Sequence, residues 1–168
     1  MTKSKICLLG AALVLPLIAP PRDLRAANPP STSEVLEKLH GANQTEIAMG
    51  KAAEKEGHSK EVKSLGKTLV KDHSAADKKT EALAKEEKIS LPNPEMGMAP
   101  PAAGPDFDMQ FAKMMVDAHK KDIAALTDAR DRTSDEKLKK LLTDLLPTLQ
   151  RHEETAQKIL DSSEKKHA

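Results

Sequence analysis

Apolar residues recur every third or fourth position along four stretches of the chain, and no stretch alternates with the period of two expected of a strand. In the first, Val35, Leu39, Ala42, Glu46, Met49 and Ala53 share a face, which predicts helix 1 over 33–56 with Ser33 or Ser31 as its cap. Gly57-His58-Ser59 interrupts that pattern, and Ser59 can open helix 2, which runs to about residue 87 through Val62, Leu65, Leu69, His73, Ala76, Thr80 and Leu83. Helix 3 is expected over 106–130, with Phe111, Met115, Ala118 or His119, Asp122 and Leu126 inward. Helix 4 carries the clearest stripe, Leu138, Leu142, Leu145, Leu149, His152, Ala156 and Ile159, from a Ser134 cap to about residue 162, with Pro147 expected to bend it.

Residues 88–105 hold five prolines and two glycines, so this segment reads as an extended connection between helices 2 and 3. It is long for a compact bundle, and its length allows the chain to cross from one end of the bundle to the other. The fold class is therefore all-α: a four-helix bundle, ferritin-like in its long middle connection. The bundle domain spans 33–162, between a polar leader at 27–32 and a flexible tail at 163–168.

The first 26 residues stand apart. Lys3 and Lys5 precede an apolar run from Ile6 to Ala19, the form of a secretory signal peptide, with cleavage expected near residues 26–28. An uncleaved anchor is the alternative, although the run is short for a membrane span and contains Pro16. The expected compartment is the periplasm, and nothing in the mature chain reads as a transmembrane span. Removing residues 1–26 also removes Cys7, the single cysteine, and leaves 23 basic and 25 acidic residues of the original 27 and 26. A near-neutral chain without tryptophan or tyrosine lacks both the positive field and the stacking platform that nucleic acid requires.

Each helix places one ionisable residue where its stripe calls for an apolar one: Glu46, His73, His119 and His152. Such groups cost desolvation energy unless they are paired, hydrogen-bonded or ligated. Counted from the turn near residue 57, Glu46 lies roughly 17 Å along the bundle, His73 roughly 23 Å and, if the connection returns the chain to that end, His119 roughly 20 Å. His152, taken about eight residues from the end of helix 4, falls roughly 10 Å off that level. Imidazoles and a carboxylate suit a divalent ion such as zinc, iron or manganese. The competing reading is a cluster whose members satisfy one another and fix helix register. Di-iron oxidase chemistry requires Glu-x-x-His on two helices. Val70, Val116 and Leu149 stand three residues before the histidines and disfavour it.

His40, His58 and His167 are expected at the surface, and Asp72, Asp77, Asp117, Glu153 and Glu154 are near enough to orient imidazoles. Met96 and Met98, two thioethers in the connection, are too little for a copper site on their own. Neither a glycine-rich nucleotide loop nor a serine with a convincing base is present, so catalysis is not expected.

Several segments together resemble one family: Glu46-Ile47-Ala48-Met49-Gly50, Val70-Lys71-Asp72-His73, Ile89-Ser90-Leu91-Pro92, Met115-Val116-Asp117-Ala118-His119 and Leu146-Pro147-Thr148-Leu149-Gln150-Arg151-His152. The chain is similar over 33–162 to a bacterial domain family of unknown function, whose members are called outer-membrane or periplasmic proteins and are grouped with the ferritin-like superfamily. The resemblance implies that Glu46, His73, His119 and His152 occupy characteristic positions, and that an Asp-His pair is usual where this chain has Asp117-Ala118-His119. It implies no reaction. A barrel, the form that spans the outer membrane, is incompatible with four amphipathic helices. Two functions follow from the residues and the resemblance: a structural or accessory role in the envelope, including envelope stress, or binding of a divalent metal inside the bundle.

Overall fold

The computed structural model describes residues 29–94 and 97–167, and the segment expected to be a signal peptide, residues 1–26, lies outside them. Four helices follow in order: α1 (Thr32–Glu56), α2 (Lys60–Glu86), α3 (Phe107–Arg132) and α4 (Glu136–His167). Together they form an all-α four-helix bundle, in which α1 packs on α2 and α3 on α4 as two hairpins, with α2 against α4.

Local chemistry sets the helix ends. Ser31 caps α1 in a reciprocal box with Glu34, and Ser59 accepts the Val62 N–H to open α2. The expected Ser134 cap on α4 is replaced by Asp135, whose Oδ1 accepts the N–H groups of Lys137 and Leu138. An aspartate is an equally good cap here because its carboxylate reaches two orphan donors at once. Lys88, at φ 59°, takes the left-handed conformation that ends α2, and the Ile89 N–H closes onto the Ala84 carbonyl. Helix α4 continues through Pro147 and runs five residues past the expected end at 162.

The chain ends of the elements show how they are arranged. Asp108, in the first turn of α3, accepts the His58 N–H (2.8 Å) and the Ser59 N–H (2.7 Å), so α3 starts beside the α1–α2 turn. At the opposite end, Thr32 donates to Asp135 (2.8 Å), and Lys137 pairs with Glu86 and Glu87. Between α2 and α3 the described residues carry no regular helix, and they pass over α1, where Gly97 N–H donates to Thr45 Oγ1 (2.9 Å).

Two apolar clusters divide the core. One, near the α1–α2 turn, contains Met49, Leu69, Phe107, Phe111 and Met115, and the other, near the α3–α4 turn, contains Leu36, Leu39, Leu138, Leu142 and Leu145. A polar layer separates them. Above it α1 and α2 touch backbone to backbone: a Cβ on Gly50 would stand 2.7 Å from the Gly66 carbonyl oxygen, and one on Gly66 equally close to that of Gly50. Only glycine permits that approach. Among the described residues, no helix is long and apolar enough to cross a membrane.

Candidate metal centre

The polar layer is where the sequence placed its ionisable residues. His73 on α2, His119 on α3 and His152 on α4 are all buried, and His119 is wholly enclosed. Their ring centroids are 5.3–5.8 Å apart, and one nitrogen from each ring lies within 4.8 Å of the other two. His152 therefore stands level with its partners, contrary to the height estimate. The reason is the extra length of α4, which puts about fifteen residues, or roughly 22 Å, between His152 and the helix end.

Each imidazole is held from behind by an oxygen. His119 Nδ1–H donates to the Met115 carbonyl (3.0 Å), His152 Nε2–H to Asp72 Oδ2 (3.0 Å) and His73 Nδ1–H to Asn43 Oδ1 (3.0 Å). Carbonyls and carboxylates only accept, so these contacts fix the ring tautomers and leave a lone pair on the remaining nitrogen of each neutral ring. His119 Nε2 and His152 Nδ1, both acceptors by this reasoning, lie 3.3 Å apart, and His73 Nε2 has no hydrogen-bond partner. A cation between the nitrogens resolves the conflict.

A proton is disfavoured in that role. Burial pulls the His119 imidazole down to about 4, with the His152 ring adding to the effect. Burial, followed by the neighbouring His119 and His152 rings, holds His73 well below its ordinary value. Burial lowers His152 as well, and Asp72 opposes it. The three rings are thus neutral near pH 7, the protonation state that ligates metal.

Glu46 is buried on α1, one turn from Asn43, and lies outside the 4.8 Å histidine set. Neither of its carboxylate oxygens has a hydrogen-bond partner. Burial, reinforced by the Asp122 carboxylate, pushes it up to about 8. Asp122, half-buried, is itself raised by burial. Glu46 Oε1, Glu46 Oε2, His73 Nε2 and Asn43 Nδ2 have no hydrogen-bond partner among the described residues, which weighs against the reading in which Glu46 and the histidines satisfy one another.

A second group differs in this respect. His40, expected at the surface, is buried on the α1–α2 seam, because the stripe of α1 is wider than its strict apolar positions and takes in Leu36 and Asn43. Its Nδ1–H donates to Asp77 Oδ1 (2.7 Å), and Gln44 donates to the other oxygen. Glu81 stands nearby, so His40, Asp77 and Glu81 also have the spacing of a cation site. Asp77 is already satisfied, however, which makes this pair a register-fixing contact. Of the other candidate orienting acids, Asp72 serves His152, while Asp117 pairs with Lys113 and Glu153 with Lys120. Asn43 was missed by sequence reasoning, and its only signal is its position one turn before Glu46.

The described residues thus hold one buried group, His73, His119 and His152, and one partly exposed group, His40, Asp77 and Glu81, with the spacing to coordinate a divalent ion. Over residues 19–159 the sequence matches the family described as domain of unknown function DUF4142, and the chain belongs to it. Among curated proteins none matches the chain. Solved structures of CopM share the fold. CopM in its Cu(II)-bound form is 17% identical, with a TM-score of 0.68, covering 78% of this chain and 96% of CopM. CopM in a silver-bound co-crystal form gives a TM-score of 0.69 at 17% identity over the same shares of the two chains.

Proposed function

We propose that this protein is a periplasmic, non-catalytic binder of a divalent transition metal, held by His73, His119 and His152 with Glu46 as the neighbouring anion. The single observation that carries the reading is the 3.3 Å approach of two lone-pair nitrogens, His119 Nε2 and His152 Nδ1, both on buried side chains. Oriented neutral imidazoles are the donors that copper and zinc prefer, and Cu(II) stands highest in the affinity order of such sites. The CopM structures with Cu(II) and silver support a metal-binding use of this fold. Glu46 gives up its proton when a cation arrives, so that one anion faces the added charge. The structural or accessory role is the weaker alternative, because it leaves the orphaned atoms without a purpose.

The finer architecture belongs to the same reading. The described residues of the 88–105 connection belong to a ferritin-like crossover that returns the chain to the α1–α2 turn, which sets α3 parallel to α2. Residues 1–26 direct export and are removed near 26–28, leaving 27–32 as a leader to the bundle. Envelope-purified protein then has the mass of a chain beginning near Ala27. Calorimetric titration of metal-free protein tests the function. One equivalent of Cu(II) or Zn(II) is expected to bind more tightly than about 10 μM, with affinity falling as pH drops through the histidine range. Absence of stoichiometric, pH-dependent binding rejects the metal site.

A further inference from the structure

The three imidazoles are enclosed, so an ion needs a path to them. Helices α1 and α2 meet backbone to backbone at Gly50 and Gly66, which closes that seam. On another side the α2–α3 connection lies over α1, where Gly97 bonds Thr45 and Met98 packs on the apolar cluster. The α2–α4 seam is different. A cavity of about 150 Å³ there reaches inward to Asn43, His73 and His152, and its rim carries Asp72, Ala75 and Thr148. A longer groove along the same two helices, from His58 and Asp108 at one end of the bundle, joins this cavity at Asp72, Arg151 and His152.

Asp72 occupies the junction. Its side chain is 27% exposed, it lines both openings, and its Oδ2 already accepts the His152 Nε2–H. Resting on the metal-binding reading above, we infer that the ion enters and leaves between α2 and α4, and that Asp72 is the carboxylate that receives it at the mouth. A partly exposed carboxylate replaces a water ligand of a hydrated cation more readily than a buried imidazole does, and at this mouth Asp72 and Asp144 set their charge against Lys79 and Arg151. Once the ion has passed, the same carboxylate holds His152 in the ligating tautomer.

Stopped-flow uptake of Zn(II) or Cu(II) by full-length mature protein, with release measured into excess chelator, tests the route. Ala75→Trp adds bulk at an exposed rim position, and Ala124→Trp adds it at an exposed position on α3. The rim variant is expected to slow uptake and release together by about tenfold, with the equilibrium constant within about twofold of wild type. The α3 variant should match wild type. Asp72→Asn is expected to lower the uptake rate several-fold at low salt, with the difference shrinking as salt rises. Equal rates in Ala75→Trp and wild type, or equal slowing by Ala124→Trp, overturn the route while leaving the metal site intact. Failure of wild type to bind metal at equilibrium defeats both.

Discussion

His119 Nε2 and His152 Nδ1 face one another at 3.3 Å, each ring having already committed its N–H to an oxygen on its far side. The relationship sets two lone pairs against one another inside the polar layer. Neutral rings in this arrangement repel, and burial opposes protonating either one. The lone pairs are therefore in a local conflict that a bound cation would remove.

A first prediction follows for His119→Leu. Leucine fills a wholly buried position of similar volume between two apolar clusters and removes the conflict. Metal-free stability should hold within about 1.5 kcal/mol of wild type or rise. Thermal melts with and without metal should lose the metal-dependent increase entirely. A metal effect of undiminished size in this variant removes His119 from the site.

The pH profile of the metal-free protein should be bell-shaped. Glu46 ionises near 8 when folded and near 4.5 when unfolded, so the folded state holds the extra proton and stability falls as pH rises between those values. His119, lowered to about 4, works in the opposite sense: the unfolded chain binds the proton first, and stability falls as pH drops from 6.5 toward 4. His73 and His152 are shifted in the same direction and add to the acid limb. Chemical denaturation across pH 4–9 should place the maximum near pH 6.5, with slopes set by about 1.4 kcal/mol per proton and pH unit. Glu46→Gln should flatten the alkaline limb and leave the acid limb in place.

Much of this was legible in the stripes. Every inward position read for helix 2, from Val62 to Leu83, is buried, and so are all seven read for helix 4. Glu46, His73, His119 and His152 announced themselves because each broke an apolar period. What the stripes hid depends on partners across helices. His40 is polar and flanks the α1 stripe, and only Asp77 on the next helix makes its burial tolerable. Asn43 matters through His73, thirty residues away, and that pairing has no signature in local sequence. The level of His152 required the true end of α4, which lies in a charged, lysine-rich segment that periodicity does not mark.

The oxygens behind the imidazoles should matter to affinity without touching the ion. Asn43→Ala removes the acceptor that fixes the His73 tautomer, and metal affinity should fall by about 10–100-fold. Stoichiometry should stay unchanged. Competition against a chromophoric chelator measures this, and unchanged affinity would show that packing alone orients His73.

A last prediction concerns the contact that sets the spacing of α1 and α2. Replacing glycine by alanine inside a helix ordinarily stabilises it, by about 1 kcal/mol of backbone entropy and propensity. At Gly66 the added Cβ would meet the Gly50 carbonyl oxygen at 2.7 Å, the Ala53 Cβ at 2.9 Å and the Glu54 nitrogen at 3.1 Å. Two of these are backbone atoms that no rotamer change moves aside, so the helices must separate. Overpacking of this kind costs about 1–3 kcal/mol, enough to outweigh the propensity gain. The contact lies about two turns along α1 and α2 from the Asn43–His73 hydrogen bond, so separating the helices there should lower metal affinity alongside stability. Gly97→Ala is the contrast, because among the described residues its Cβ would meet only Thr45 Oγ1 at an ordinary 3.6 Å, and its stability should stay within about 0.5 kcal/mol of wild type. Paired thermal melts decide it: a Gly66→Ala protein at least as stable as Gly97→Ala would mean that α1 and α2 are not held at backbone contact.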